Sequence, residues 1–378
     1  MRGAIKIFAS NNVYIPLYLT FSKMIIKAVI IAGGKGERFW PLSRKKTPKQ
    51  CLELFGEKPL IQHTVERILP LVSIDDIYIS TGVHLHEQIM GIVPEVTNYI
   101  IEPMPRDTAA AIGLSAVRLT EDLDDAIMIV LPADHYINDT ENFLHHIRTG
   151  LEFAKQGKLV TIGITPSFPS TGFGYIKPGR CLKGEGIRVF ETEEFVEKPS
   201  ENLAKEFVAK GYMWNSGIFI WKCSAILNEI KKSLPALYAG LMRIKQSRGT
   251  DQEFSIIEQV FSDLQPISID YGIMQLVKDD VVVEGNFDWD DVGSWTSLER
   301  HYPKDENGNV VKGKYVQHDS NNNIVYGGKN LIATVGVKDL VIIQTNDATL
   351  ICSKEKAQDV KKLVEKMAAD SSLKQYLE

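Results

Sequence analysis

Apolar and polar positions change rhythm several times along the chain. Residues 25–32 are apolar throughout except for Lys27, the pattern of a strand covered on both faces. Residues 60–72 place Leu60, Ile61, Val65, Ile68, Leu69 and Val72 at helical spacing, and residues 76–80 return to a short strand-like run. The same alternation predicts strands at 98–101, 126–131 and 159–164, with helices at 108–123 and 142–156 between them. Strand alternating with helix means an α/β fold, a mostly parallel sheet with helices on both faces. Such sheets bind ligands at the carboxyl ends of their strands, so the loops after Ala32 and Leu131 are the first places to look for chemistry.

Beyond residue 163 the alternation loosens into Gly- and Pro-rich strands and turns over 166–186. A strand at 189–197, helices at 203–209 and 226–234 and a strand at 281–283 follow. Between 310 and 352, β-prone pieces at 324–326, 331–335, 340–343 and 350–352 are separated by Asn, Gly and Asp turns, which reads as a small all-β unit. Residues 354–367 carry Ala357, Val360, Leu363 and Val364 among alternating charges, an amphipathic helix. The turn formers at 302–309 mark the boundary. The predicted division is therefore residues 24–303 as the main domain and 304–378 as a β-rich domain with a terminal helix. Residues 1–23 are an extension outside the fold. In that extension Arg2 and Lys6 precede the apolar stretch 14–21 in a faint likeness to a secretion signal, but Pro16 and Thr20 interrupt it; Met24, directly before a strand, reads as the working start.

Composition narrows the function classes. At 378 residues the chain can bury a large core without a disulfide or metal staple. It is 44% hydrophobic and 24% charged with a net charge of −5, which gives no electrostatic reason to expect a nucleic acid or an acidic membrane as partner. Apolar runs fall far short of the ~20 residues that span a bilayer. Cys51, Cys181, Cys223 and Cys352 lack any CxxC-type spacing and read as separate thiols of a reducing, cytoplasmic environment.

The loop after the first strand contains Gly33, Gly34 and Gly36, followed by Arg38, Arg44 and Lys49. Glycines let backbone N–H groups approach an anion, and the basic residues supply the charge a polyphosphate needs. A Walker A loop is excluded, since no Gly-Lys-Ser/Thr occurs, and a dinucleotide fingerprint is excluded because Phe39 and Pro41 stand where a third glycine and a helix start are required. Asp134, in Pro132-Ala133-Asp134-His135, and Asp291, in Trp289-Asp290-Asp291-Val292-Gly293-Ser294-Trp295, each follow a strand. A carboxylate pair from distant strands suits Mg²⁺ when phosphates supply further oxygen ligands. Taken singly, Asp134 also reads as a turn residue and Asp291 as a helix cap. Glu197-Lys198, Asn215 in Trp214-Asn215-Ser216-Gly217, and the stretch from Glu102 through Arg106, Asp107 and Thr108 likewise each admit an ordinary surface, turn or N-cap role.

Order and joint presence decide between these readings. The glycine-rich loop with its Pro48-Lys49-Gln50 tail, Glu-Pro-x-x-Arg-Asp-Thr-Ala from Glu102, Pro-Ala-Asp-His, Gly172-Phe173-Gly174-Tyr175-Ile176, Val196-Glu197-Lys198-Pro199, Trp-Asn-Ser-Gly and Trp-Asp-Asp-Val-Gly-Ser-Trp together resemble the sugar-1-phosphate nucleotidylyltransferases. Phe39-Trp40-Pro41-Leu42-Ser43-Arg44 and Asp291-Val292-Gly293-Ser294-Trp295 are most similar to the mannose-1-phosphate guanylyltransferase branch. The resemblance covers nearly the whole chain from Met24. It implies a Rossmann-like main domain, a small left-handed β-helix-like tail, a homodimer, and transfer of GMP from GTP to mannose 1-phosphate. It further implies that Gly33, Gly34 and Gly36 hold the nucleotide phosphates, with Arg38 on the leaving pyrophosphate and Lys49 spanning the reacting phosphates. Asp134 and Asp291 would bind Mg²⁺, and Glu102, Arg106, Asp107 and Thr108 would lie along the base. Gly174, Glu197 and Asn215 would meet the sugar and Lys198 its phosphate. His135 is read as structural, because the transfer needs no general base.

Cys51 stands where the family usually carries an aromatic, and Asp107 where Asn is common, which bears on base preference. The sequence shows no strict hexapeptide period in the tail. Many bacterial relatives carry an added isomerase domain, and the chain stops where that domain would begin, so a single activity is expected. Two alternatives remain at this stage: the same transfer onto another sugar 1-phosphate, such as a manno-heptose or glucose, or a non-catalytic regulatory homologue that binds a nucleotide sugar.

Overall fold

The computed structural model describes residues 25–120 and 125–378, so the expectations for residues 1–24 and for the helix end at Leu123 lie outside the described residues. The first sheet uses strands β1 (Ile25–Ile31), β2 (Ile77–Gly82), β3 (Asn98–Glu102) and β4 (Ala126–Pro132), then, past the short β5 (Tyr136–Ile137), strands β6 (Leu159–Ile164), β7 (Gly174–Lys183), β8 (Val189–Glu197), β9 (Met213–Lys222) and β10 (Asp280–Gly285). Their order is β3-β2-β1-β4-β9-β6-β10-β8-β7. Strands β1 to β4 pair in parallel, and β10 pairs in parallel with β6. Because β9 is antiparallel to both β4 and β6, those two run the same way, giving a mostly parallel sheet with two reversed strands, β9 at its centre and β8 near one edge. An apolar run such as 218–221 looks the same in either direction, so sequence patterning did not reveal the reversal.

Alternate strand positions face two cores. Ala28 and Ile30 pack on one side with α1 (Leu60–Ile68), α2 (Val83–Ile92), α4 (Thr140–Ala154) and α5 (Glu201–Ala209). Val29 packs on the other with α3 (Asp107–Leu119), α6 (Cys223–Ser233), α7 (Pro235–Gln246) and α8 (Glu253–Asp263). The β7–β8 hairpin bends so that β8 pairs with β10 while β7 returns to the start of β9, pairing Tyr175 with Trp214. Gly174 and Glu197 thereby reach Asn215 at the carboxyl end of β6. A two-residue strand, β11 (Trp289–Asp290), pairs with β5 and carries the loop holding Asp291 back over the end of β4.

The tail is built of β12 (Val310–Lys312), β13 (Tyr315–His318), β14 (Ile324–Tyr326), β15 (Ile332–Val335), β16 (Leu340–Gln344) and β17 (Thr349–Ser353), followed by α9 (Val360–Ala369). It coils in parallel, with Val310 over Ile324 over Val341, until antiparallel β17 closes it. Successive coils are 14 and then 17 residues apart, which explains the lack of a hexapeptide period. Buried Asn309 and Asn323 form a ladder at one corner: Asn309 Oδ1 accepts from the Asn323 backbone at 2.9 Å, and Asn323 Oδ1 from Leu340 N–H at 3.0 Å.

The tail does not hang free. A third core joins Phe39, Trp40, Leu52, Leu54, Phe55 and Leu60 of the glycine-loop region to Trp295, Val310, Ile324, Val341, Val360 and Met367. Trp295 is fully buried at its centre, 5.0 Å from Phe39 and 5.5 Å from Tyr326 between ring centroids, and its indole N–H donates to Trp40 O at 3.2 Å. The four cysteines are free thiols; Cys51 is buried and pushed up to about 12 by its burial, an unreactive core residue. Among the described residues no helix is long and apolar enough to cross a membrane.

Replacing Trp295 with Ala should cost about 3–5 kcal/mol of stability, read as a lower denaturant midpoint, because the cavity opens where three segments meet.

Candidate active site

The loop after β1 is shaped by contacts that need glycine and lysine together. Gly36 has φ of 64°, and a Cβ there would sit 2.3 Å from Lys49 Cβ, so only glycine permits the loop to fold back on that lysine. Ser43 donates to Gly36 O at 2.6 Å, while Thr81 and Gln50 donate to Ala32 O. Short 3₁₀ turns at Glu37–Phe39 and Lys49–Cys51 follow. Among the described residues, Lys35 and Arg38 in this loop have no carboxylate partner.

Lys49 is only 6% exposed, and its ammonium donates to Asp134 Oδ2 at 2.8 Å and to Asp291 O at 2.5 Å. The ends of β4 and β11 thus meet on one cation. Burial works to raise the Asp134 pKa, but the Lys49 charge and hydrogen bond hold it below the usual carboxylate value. Asp291 goes the other way: burial, with repulsion from Asp290 and Asp134, lifts it to about 6 despite Lys49. The neighbouring Asp290 is fully committed, accepting from Arg300 at 2.5 and 2.8 Å, from Val292 N–H at 2.7 Å, and pairing with His301 at 2.7 Å. Asp291 is therefore the carboxylate of this pair left for a ligand. His135 beside it is partly buried, and its desolvation depresses it to about 4; its Nδ1 accepts from the Trp289 indole at 3.2 Å, so the ring is neutral with its proton on Nε2.

These groups line a cavity of about 660 Å³, walled by residues 35–39, Lys49, Asp134, His135, Asp291 to Gly293 and, from the far end of the chain, Lys361 and Glu365. Two converging carboxylates suit a hard divalent cation. Among the described residues no group of three or more His, Cys, Asp or Glu side chains forms a complete cage, so phosphate and water oxygens would have to fill the rest of the shell. The raised Asp291 pKa marks a carboxylate short of positive charge, which such an ion would supply.

A second cluster lies where the β7–β8 hairpin meets β9. A Cβ on Gly174 would come within 2.3 Å of Glu197 Oε2, so glycine leaves room for that carboxylate. Glu197 Oε2 is buried without a partner, and burial plus the nearby Asp270 raises its pKa. Asn215, expected to meet sugar, has both ends of its amide engaged: Nδ2 donates to Asp270 Oδ1 at 2.8 Å, and Oδ1 accepts from Gly217 N–H at 3.0 Å. It positions Asp270, a residue the sequence reading missed. Asp270 opens a π-helical turn at Asp270–Met274 and belongs to no recognisable motif; only a structure brings it beside Glu197. Lys198, at φ 48°, leans toward Glu197 with its ammonium 3.4 Å away and largely exposed.

At the third cluster Glu102, at the end of β3, is buried; Ser80 donates to it at 3.1 Å, and burial pushes its carboxyl up to about 7. Arg106 does not turn toward Glu102: its guanidinium donates to Phe261 O, and to Ser262 O at 3.1 Å, at the end of α8. Thr108 Oγ1 accepts from Ile269 N–H at 2.9 Å. Arg106 and Thr108 thus fasten this loop to the segment that delivers Asp270, while Asp107, at φ 65°, caps its own neighbour Thr108 N–H at 2.7 Å.

Residues 27–308 match the nucleotidyl transferase family, and residues 313–367 match a mannose-phosphate isomerase/GMP-like β-helix domain. The mannose-1-phosphate guanylyltransferase of Klebsiella pneumoniae is 40% identical over 89% of this chain and 73% of its own length. The chain belongs to that nucleotidyl transferase family. The alginate biosynthesis protein AlgA of Pseudomonas putida, another relative, is 38% identical over 89% of this chain and 70% of its own length. A solved structure from Thermus thermophilus, described as a mannose-1-phosphate geranyltransferase, superposes with a TM-score of 0.82 at 35% identity, covering 91% of this chain and all of that one. Family membership makes this chain a transferase, and the three clusters lie along the carboxyl-end edge of its sheet.

The sign of the Asp291 shift gives a test. A carboxyl raised from 3.8 to about 6 binds its proton more tightly in the folded protein, so ligand-free stability falls as pH rises from about 4 through 6. Asp291→Asn should therefore stabilise the metal-free protein at pH 8 by up to about 3 kcal/mol, with roughly half that gain at pH 5, measured by thermal unfolding at both values.

Proposed function

We propose that this protein transfers GMP from GTP to α-D-mannose 1-phosphate, releasing pyrophosphate and forming GDP-mannose for polysaccharide synthesis. The observation that carries the reading is the buried Lys49 shared by Asp134 and Asp291 at the mouth of the glycine loop, in a chain about 40% identical to mannose-1-phosphate guanylyltransferases.

The sugar phosphate is already an anionic nucleophile, so no side chain needs to remove a proton. One of its oxygens attacks the α-phosphorus of GTP, the bond from that phosphorus to the bridging oxygen of the β-phosphate breaks, and pyrophosphate leaves with the electron pair. The obstacle is repulsion between two anions. Lys49 lies where the reacting phosphates would meet, and backbone N–H groups at Gly33, Gly34 and Gly36, with Arg38, would hold the departing phosphates. Asp134 and Asp291 would hold Mg²⁺, which when bound supplies positive charge to the phosphate oxygens of both reactants. Fixing both substrates against each other supplies much of the remaining rate by orientation.

The sugar end supports a polyhydroxylated ring. The unpartnered Oε2 of Glu197 and the Asn215-oriented Asp270 carboxylate are acceptors for adjacent hydroxyls, and Lys198 would meet the sugar phosphate. At the base end, Glu102, already accepting from Ser80, offers a further acceptor to the N1–H and N2–H donors of guanine, which adenine does not present; losing that contact would penalise ATP.

Pyrophosphate release measured over four nucleoside triphosphates and several sugar 1-phosphates should be fastest for GTP with mannose 1-phosphate; a better manno-heptose or glucose phosphate would reassign the sugar. Asp134→Asn and Asp291→Asn should each lower kcat on the order of 10²–10³-fold without unfolding the protein. Glu102→Gln should reduce the kcat/KM preference for GTP over ATP roughly 10- to 100-fold, checked by competing the two nucleotides.

A further inference from the structure

Two residues in the wall of the phosphate cavity belong to neither the glycine loop nor the sheet. Lys361 and Glu365 come from α9, more than three hundred residues beyond Arg38. Their placement follows from how α9 is anchored. Val360 and Met367 are buried, 3% and 6% exposed, in the core that contains Phe39, Trp40 and Trp295, and Val364 packs beside them. These three positions make one stripe of the helix, which sets Lys361 and Glu365, one turn apart, on the flank that faces the cavity.

Lys361 is also poorly satisfied where it stands. It lies near the start of α9, directly after the 3₁₀ turn Lys354–Asp359. Its neighbour Lys362 has Asp359 at 2.8 Å, whereas the Lys361 ammonium is 3.9 Å from Glu365, beyond hydrogen-bond range. On the other side of the cavity Lys49 is already engaged by Asp134, leaving Lys35 and Arg38 as the loop cations available to a triphosphate. A polyphosphate entering there brings more negative charge than those two offset.

We propose that Lys361 is a polyphosphate-binding residue donated by the C-terminal domain: its ammonium moves from Glu365 to the β- and γ-phosphates of the incoming nucleotide and stays with the pyrophosphate that leaves. Glu365, 3.9 Å away, keeps the ammonium near the cavity by charge attraction alone before the anion arrives. The inference rests on the nucleotidyl-transfer reading for the identity of its anion, but its direct test does not require the base or the sugar to be assigned correctly.

The test uses the full chain carrying Lys361→Met, Lys361→Arg or Glu365→Gln. Calorimetric titration with inorganic pyrophosphate and with tripolyphosphate should show binding weakened on the order of tenfold in Lys361→Met and largely restored in Lys361→Arg. In turnover assays the KM for GTP, and for pyrophosphate in the reverse direction, should rise by a similar factor while the KM for the sugar phosphate and the thermal midpoint stay within about twofold and ~2 °C of the parent. Glu365→Gln should tighten pyrophosphate binding, since a competing acceptor is removed. Unchanged pyrophosphate affinity in Lys361→Met would overturn the assignment, as would equal losses for all substrates together with a lowered midpoint, which mark a packing role. Pyrophosphate binding that depends on Lys361 in a protein that fails to turn over GTP and mannose 1-phosphate would leave this inference standing and remove the reading it rests on.

Discussion

A single ammonium, that of Lys49, is the point on which the site is hung. It reaches one carboxylate at the end of a central strand and one carbonyl in a loop more than two hundred residues later, and it is itself nearly excluded from water. Burying an amine is costly unless it is paired, and two facing carboxylates are costly unless a cation stands between them, so each group is tolerable only because the others are present. The same arrangement leaves Asp291 under-compensated. The site by itself therefore stores electrostatic strain that cationic ligands relieve, which is why a residue needed for chemistry is expected to weaken the ligand-free fold.

Backbone strain tells a similar story. Six non-glycine residues among those described have positive φ. Asp319, Asn322 and Asp339 fall at corners of the coiled tail, where Asn and Asp tolerate that conformation. The other three, Asp107, Lys198 and Val292, each adjoin a site cluster: the loop after Glu102, the residue after Glu197 and the residue after Asp291. For a β-branched residue such as Val292 the conformation is costly, and it is held by Asp290, which accepts from the Val292 amide while Arg300 and His301 fix its carboxylate. Asp290 thus stabilises the turn that presents its neighbour.

Much of this was legible in the chain itself, for identifiable reasons. Strands β1 to β4 and β6 announce themselves as short apolar runs between turns, and the glycine loop, Asp134 and Asp291 sit in contiguous motifs whose order carries information. What escaped was whatever depends on meetings across the fold. Asp270 has no motif, and its importance appears only when Asn215 is seen donating to it. Arg106 sits in a motif yet serves α8, because a guanidinium in the sequence does not say which carbonyls lie within reach. Helices α2, α7 and α8 were not read, and the reversed β9 was invisible because burial on both faces erases the direction of a strand. Lys361 is one lysine among several on an amphipathic helix until the packing of Val360 and Met367 turns it toward the phosphates.

The core shared by the glycine loop and the tail has a consequence for the order of events during synthesis. Trp40, Leu54 and Phe55 are made early, but the side chains that cover them, from Trp295 to Met367, are made last. Trp40 is also tied to Tyr376 O, the Lys45 amide to Leu377 O, and Arg44 to Asp347. A growing chain can complete its sheet on the ribosome while the glycine loop still lacks its floor. The glycine loop therefore reaches its final packing late in translation, and a chain truncated by a premature stop would keep the sheet's motifs without a closed loop.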